Sequence, residues 1–311
     1  MNYILGGGVA GMTLALYLKD FKIFDANPMG QLNSKYILGP RLITKDEYTK
    51  EFFNTFTMSY SLDVATAYVG YESDGQISRD PDHDFKKKYS LITRGHSDYE
   101  QSFLSSGQNA IEHYIFKGVD DSYGALFRII EERLRNNSRF IYRNVEKIDI
   151  KDRTVHTSNI VYNYDNLVNT LNFKIFRKLL VNNTQLWKDK LETELKCFYV
   201  TEYTAEDRKL AKDYYYIYSV DGEYTRRTFQ HDHVIYETVQ PHQSPTVNGA
   251  TINGAGIIEK IENIPIQIKK SLNIKNAKGI PMFGRYAQWS HRIKFNDSLA
   301  EVERVRKAVN G

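Results

Sequence analysis

Gly6, Gly8 and Gly11 are spaced Gly-x-Gly-x-x-Gly, and an acidic side chain, Asp25, stands 19 positions after the first. Residue types at this spacing suit one kind of chemistry, the binding of a dinucleotide. The first glycine allows a tight turn out of a strand. The second lets the backbone approach a pyrophosphate, and the third lets a helix pack close to a sheet. The helix that follows turns unpaired N–H groups and the positive end of its dipole toward the phosphates. Asp25 is placed to accept a hydrogen bond from a ribose hydroxyl. Ala10 and Ala26, small residues beside the third glycine and the acid, belong to the same cradle.

These residues need a strand, a helix and a second strand to position them. The apolar residues before Gly6 read as the first strand, Met12 to Leu18 as the helix, and Phe21 to Phe24 as the second strand. A polar loop runs from Asn27 to Pro40, and a helix is expected over 46–58. Tyr89 to Arg94 reads as a short strand. Residues 122–135 have helical spacing, with Leu126, Ile129, Ile130 and Leu134 on one face. Strands are expected at 140–150, 154–157, 160–162 and 166–170, then a helix over 173–180. Four aromatic or β-branched strands follow at 195–204, 214–219, 224–230 and 233–238. Residues 254–272 read as partly helical, interrupted by Pro265. A short strand leads into Gly284-Arg285, and a last helix covers 297–309.

The pattern predicts an α/β protein. A Rossmann-like dinucleotide domain with a parallel sheet is assembled from 1–45, 121–194 and 275–311. A mixed α+β substrate domain with an antiparallel sheet is inserted as 46–120 and 195–274.

Composition narrows the function classes. The 311 residues are 41% hydrophobic and 26% charged, long enough to bury a large core. A net charge of +4 suits an anionic small molecule and does not demand nucleic acid, since the densest basic run is Lys86-Lys87-Lys88, read as a solvated loop. No apolar run approaches the ~20 residues that span a bilayer. The absence of a leader pattern and a single cysteine, Cys197, suggest a cytoplasmic, reducing setting. Cys197 sits in an apolar run and reads as core. The 23 tyrosines and 16 phenylalanines suit a half-buried sheet or a pocket for a flat ring or sugar. His231 and His233 alternate as two metal ligands could, but no acidic or cysteine cluster completes a site, so no metal is expected.

Five segments together resemble the flavoproteins that share the UDP-galactopyranose mutase and protoporphyrinogen/amine oxidase type of fold. They are the N-terminal glycine unit; Gly39-Pro40-Arg41-Leu42-Ile43, with Arg41 where mutases usually carry histidine; and Tyr164-Asp165-Asn166-Leu167-Val168-Asn169-Thr170. The other two are Gly222-Glu223-Tyr224-Thr225-Arg226-Arg227-Thr228-Phe229-Gln230-His231-Asp232-His233, with Glu223 where mutases carry proline, and Phe283-Gly284-Arg285-Tyr286-Ala287-Gln288-Trp289. The islands are spread over the chain but cover about a quarter of it. Residues 46–120 do not clearly match.

The resemblance implies FAD as cofactor, held by the N-terminal cradle together with Arg41, Thr170, Gly284, Arg285 and Trp289. It implies a small-molecule substrate, with Arg226 as the cation for a leaving diphosphate and Tyr224 beside it. Arg94 is a second substrate contact, and Arg41 and His291 join Arg226 as catalytic candidates. Arg227 should face the other side of its strand. The expected activity is mutase-like, on a nucleotide sugar or similar anion through reduced flavin. An FAD amine or CH–CH oxidoreductase, including one acting on a modified nucleobase, and a non-catalytic flavin-binding protein stand beside it. Each is compatible with a homo-oligomer.

Overall fold

The structure is a computed structural model, and it describes residues 1–27, 42–56, 61–94, 110–181, 191, 193–221, 224–239, 257–268, 272–290 and 293–310. The chain opens with β1 (Asn2–Leu5), α1 (Val9–Tyr17) and β2 (Phe21–Phe24). Then come β3 (Ile43–Thr44), α2 (Glu47–Thr55), β4 (Leu62–Ser73), β5 (Gln76–Ser78), α3 (His83–Arg94), β6 (Ala110–Phe116) and α4 (Ser122–Asn136). The middle holds β7 (Phe140–Ile141), β8 (Lys147–Asp149), β9 (Thr154–His156), β10 (Val161–Asn163), β11 (Asn166–Asn169), α5 (Phe173–Leu179) and β12 (Thr193–Thr201). Last are α6 (Ala205–Leu210), β13 (Tyr216–Ser219), β14 (Arg226–Phe229), β15 (Val234–Val239), β16 (Ile257–Ile268), β17 (Asn276–Ala277), β18 (Ile280–Pro281), α7 (Phe295–Ala300) and α8 (Val302–Asn310).

A parallel sheet in the order β11-β1-β2-β7 carries the glycine motif at its carboxyl end. Its strands β11, β1 and β2 are mostly buried, as a sheet covered on both faces requires. One face packs on α1, α4, α7 and α8, through Met12, Leu126, Ile130, Leu134 and Val305. The other packs on α5 and the C-terminal segment, through Phe173, Phe176, Met282 and Trp289. Asp121 caps α4, its carboxylate accepting from the Gly124 N–H at 2.6 Å. Arg139 closes the end of α1, donating to the Leu18 carbonyl at 2.6 Å and, through Nε, to the Phe21 carbonyl at 2.7 Å.

The second layer is a large mixed sheet, in the order β16-β12-β15-β14-β13-β4-β6-β3, with β5 on the side of β4. Only the β13–β4 pair is parallel; the others are antiparallel. A small antiparallel meander, β10-β9-β8, stands apart.

Several expectations need correction. Tyr89–Arg94 is the end of α3, not a strand. Its buried residues, Phe85, Tyr89, Ser90 and Thr93, follow helical spacing once the basic run is included, so Lys86–Lys88 is helix rather than loop. Residues 254–272 are not partly helical: 257–268 form strand β16. Pro265 is tolerated there because β16 is an edge strand, and the register shifts beside it. Residues 140–150 divide between two sheets. The short helix α6 lies between two of the expected strands, and Asp207 and Thr204 form its capping box.

The last helix is two helices, α7 and α8, broken at Glu301. The break aims Glu301 at the returning C-terminal segment, where it accepts from Gln288 and Lys275, and it also accepts from Arg304 on α8. Burial alone would raise the Glu301 carboxyl, but hydrogen bonds from Lys275 and Gln288 and the charges of Lys275 and Arg304 hold it below its ordinary value. A depressed carboxyl contributes stability that is complete above its unfolded value and is lost as pH falls through the folded one. The stability difference between the wild type and Glu301→Gln should therefore shrink from about pH 6 to about pH 3. Thermal melts of both proteins across that range test it, and a difference independent of pH would contradict this account.

Candidate functional site

β1 ends in Gly6, whose φ of +99° is a left-handed conformation that suits glycine alone. A Cβ on Gly6 would also stand 2.8 Å from the Thr170 Oγ1. At Gly11 a Cβ would meet the Gly6 carbonyl oxygen at 1.8 Å, so the first turn of α1 lies directly on the loop. Gly284 has φ +85°, and a Cβ on it would approach the Cβ of Ala10 at 2.5 Å. These three glycines are explained by the protein's own backbone and packing.

Gly8 is different. Its φ of −73° is open to any residue, and a Cβ there would have nothing within 4 Å. It is the N-cap of α1, and no side chain caps that helix. Among the described residues, the one glycine that neither packing nor backbone demands therefore stands where α1 presents its unpaired N–H groups. A group brought to those N–H groups would meet the missing Cβ.

Asp25 follows β2 on the neighbouring strand. Its carboxylate accepts from the Gly7 N–H and, at 2.7 Å, from the Asn27 N–H. It thus braces the glycine loop and keeps acceptor capacity for a further donor. Ala26 beside it is exposed. Thr170 also acts through the loop: its hydroxyl is 2.7 Å from the Leu5 carbonyl and 2.9 Å from the Gly6 carbonyl. The C-terminal segment returns to this place, as the sequence predicted. The Phe283 N–H donates to the Asn169 carbonyl at 3.0 Å, and the Phe173 N–H to the Tyr286 carbonyl at 2.9 Å. Arg285 is half-buried there, with its guanidinium 5.6 Å from the Tyr286 ring.

Trp289 departs from its expected part. It is 1% exposed, with a left-handed φ of +48°, and its indole packs into the core with Phe173 and Met282. Its position is that of a wedge holding the return segment. Arg41 and His291 lie outside the described residues, and Arg94 is the last residue of α3.

The Tyr224–Arg227 motif lies on the large sheet. Arg226 and Arg227 do point to opposite faces. Arg226 is paired with Glu237 on the adjacent strand, and Glu237 also receives Lys196. Lys196 and Glu237 are buried, whereas the Arg226 side chain keeps 15% of its surface exposed. Its guanidinium is 6.0 Å from the Tyr218 ring. On that face Tyr71, Tyr216 and Phe85 form a core cluster, with Tyr218 and Leu42 packed against it. Arg226 thus shares a sheet face with Leu42, the residue after Arg41.

Arg227 is fully buried on the other face. It is 3.0 Å from Asp207 and 3.7 Å from Glu72 and Glu206. Tyr236 donates to Asp207 at 3.1 Å, and Tyr224 donates to Glu72. Burial raises the Tyr224 phenol above its ordinary value. Burial would lower the Arg227 guanidinium, but Tyr224, Tyr236, Glu72 and Asp207 around it raise it instead. Tyr224, expected beside a substrate, is engaged in this internal network. The spacing of Arg227 and Tyr224 carried no sign of Asp207 and Glu72, which come from distant parts of the chain.

His231 and His233 are not on a strand: they lie in the loop between β14 and β15, where His233 pairs with Asp232. Among the described residues no cluster of histidine, cysteine or acidic side chains could hold a metal, and no helix is long and apolar enough to cross a membrane. Cys197 is buried, as expected. A cavity of about 670 Å³ opens between β4, β6 and the loops around β13 and β14, and its lining includes His113, Tyr114, Tyr215 and His233.

No family model matches the chain, and no curated protein matches its sequence. Solved structures do match its fold. A reduced UDP-galactopyranose mutase superposes with a TM-score of 0.71 at 12% identity, over 99% of this chain and 94% of that one. Wild-type putrescine oxidase bound to putrescine gives 0.66 at 10% identity, covering 99% and 98%. A fatty acid isomerase from P. acnes that produces CLA gives 0.63 at 13% identity, covering 98% and 97%. The chain therefore has the fold of the mutase and oxidase structures that its five motif segments resemble.

Proposed function

We propose that the chain is an FAD-dependent enzyme acting on a small-molecule substrate. The observation that carries this reading is Gly8, an uncapped helix N-terminus with open space where its Cβ would be. A pyrophosphate fits that space, and the residues around it suit the rest of a dinucleotide. The α1 N–H groups would donate to the phosphates. Asp25, already held by Gly7, would accept from a ribose hydroxyl. Arg285 would reach the pyrophosphate or the ring edge beside Gly284, where close approach of the backbone is needed. The fold shared with the mutase and oxidase structures supports the choice of FAD. In this reading the parallel sheet and the return segment form the cofactor domain, and the large mixed sheet the substrate domain.

FAD, when bound, supplies a reversible two-electron centre that can also act as a nucleophile in its reduced form. The residues of this chain bind and orient. On the mutase-like reading, with a nucleotide sugar or similar anion as substrate, Arg226 holds the diphosphate from a sheet face shared with Leu42. Glu237 fixes the direction of its guanidinium, and Tyr218 lies beside it. The second reading is an FAD amine or CH–CH oxidoreductase. It is favoured by the same pair, because the buried Glu237 offsets the charge Arg226 would offer to an anion.

Visible absorbance of the purified protein, before and after anaerobic dithionite, tests the cofactor. Flavin bands that bleach on reduction are expected. A colourless protein that takes up no added FAD would overturn the reading. Turnover of nucleotide sugars by the reduced protein without net electron flow would select the mutase-like reaction. Oxygen consumption with an amine would select the second.

A further inference from the structure

The large sheet contains a divergence beside which a cavity opens. β13 pairs with β4 only along Val69–Glu72, and one further contact, from the Tyr215 N–H to the Tyr68 carbonyl at 2.8 Å, closes that ladder. Before this point β4 pairs with β6 along Leu62–Tyr68. Among the described residues no strand covers its other edge there. The cavity of about 670 Å³ occupies this gap, a volume suited to a small organic ligand. None of the cradle residues, Gly6, Gly8, Gly11, Asp25, Gly284 or Arg285, lines it.

Two features of the lining point to one ligand chemistry. The first is aromatic: Tyr68, Tyr114, Tyr123, Tyr203, Tyr214 and Tyr215 all contribute to the wall. Three of these rings already take cations of the chain itself. The Arg79 guanidinium lies 4.5 Å from the centre of the Tyr68 ring and 5.7 Å from that of Tyr214, and Arg208 lies 5.7 Å from that of Tyr203. Cation–π attraction of this kind strengthens as water is excluded.

The second feature is charge. Asp120, Asp121, Asp213 and Asp232 line the cavity with Lys212, Arg128, His113, His231 and His233, and Asp232 is already paired with His233. Arg128 is already matched by Asp121 at 3.6 Å. Asp120 and Asp213 are exposed and belong to none of the ion pairs of the described residues. Burial lowers the His113 imidazole below its ordinary value, against hydrogen bonds to the Ile111 and Ala65 backbone that raise it. The chain as a whole is basic, whereas this cavity is acidic and aromatic.

We infer that the cavity between β4, β6 and β13 is a binding site for a ring-bearing organic cation, an amidinium or ammonium compound, distinct from the dinucleotide cradle. The rings stack on the ligand and accept its charge, and Asp120 and Asp213 draw it to the mouth.

The test is calorimetric titration of the full chain with three probes of nearly equal shape: benzamidine, benzamide and benzoate. Benzamidine should bind at least about tenfold more tightly than benzamide, because the two differ in the charge that stacked rings recognise. Benzoate should not bind detectably. The double variant Asp120→Asn/Asp213→Asn removes two exposed carboxylates that make no ion pair among the described residues, so the fold should be untouched. It should weaken benzamidine about fivefold, as expected for two exposed charges, and leave benzamide unchanged. Benzamide or benzoate binding as tightly as benzamidine would overturn the inference. So would a double variant indistinguishable from wild type, or no benzamidine binding at millimolar concentration. Flavin content measured on the same samples reports separately on the cofactor reading.

Discussion

Gly8→Ala is expected to strip the cofactor from the protein and leave the fold intact. The substitution meets no atom of the chain within 4 Å and keeps an allowed backbone. Its cost at an N-cap is a few tenths of a kcal/mol to about 1, offset in part by the smaller entropy of the unfolded chain. A pyrophosphate over the α1 N-terminus would meet the new methyl directly. FAD affinity should fall on the order of 100-fold, about 3 kcal/mol, with little change in melting temperature. Gly11→Ala should behave differently. Its Cβ would stand 1.8 Å from the Gly6 carbonyl oxygen, so α1 must move off the loop. That overpacking should cost about 1–3 kcal/mol or more of stability as well as the cofactor. Flavin content and thermal melts of the two variants, measured side by side, separate a ligand contact from a packing contact. Full FAD retention by Gly8→Ala would remove the observation on which the proposed function rests.

The second large effect is expected at Asp207→Ala. Asp207 and Arg227 are both fully buried and 3.0 Å apart. Removing the carboxylate takes away that partner, a hydrogen bond from Tyr236 and half of the α6 capping box. Glu72 and Glu206 remain, each at 3.7 Å from Arg227 and partly in solvent. Breaking a buried pair from one side costs about 3–5 kcal/mol, because the other charge stays without its partner. The melting temperature should fall by roughly 10 °C. Arg227→Leu/Asp207→Ala removes both charges and should be markedly less destabilised than the sum of the single variants. Calorimetric melts of the three proteins give the coupling. An Asp207→Ala penalty below about 1 kcal/mol would contradict a structural role for the pair.

The two arginines show why the motif alone was ambiguous. Tyr224, Arg226 and Arg227 fall within four residues, and strand alternation puts the adjacent arginines on opposite faces. That much was legible. What awaits each face was not. Arg227 meets Asp207 from α6 and Glu72 from β4, residues far away along the chain, and becomes a buried structural cation. Arg226 meets Glu237 and Lys196 and keeps an exposed edge beside Tyr218. Trp289 is a similar case. Its place after Gly284-Arg285 suggested contact with the cofactor, whereas the tertiary structure uses the indole as core.

Misread elements have equally local causes. Tyr89–Arg94 looked like a strand because its aromatic and β-branched residues were taken without the basic residues before them. Residues 257–268 looked partly helical because isoleucines recur there among glutamate, lysine and glutamine. Edge position then decided for strand and made room for Pro265.

By itself the sequence determined the cradle: a strand, a glycine turn, a helix and an acid at a fixed spacing, all within 25 residues. It could do so because each part is a local constraint, a turn that needs glycine or a close approach that excludes a Cβ. It also showed that the C-terminal glycine would return to this place, through the resemblance of a short segment. Only the tertiary structure decided which glycine is left unexplained by packing, which arginine is buried and which keeps an open edge. It alone showed where β4 and β13 part to leave an acidic, aromatic cavity in a basic protein. Those outcomes depend on pairings between distant segments, and charge compensation and burial exist only after the chain has brought them together.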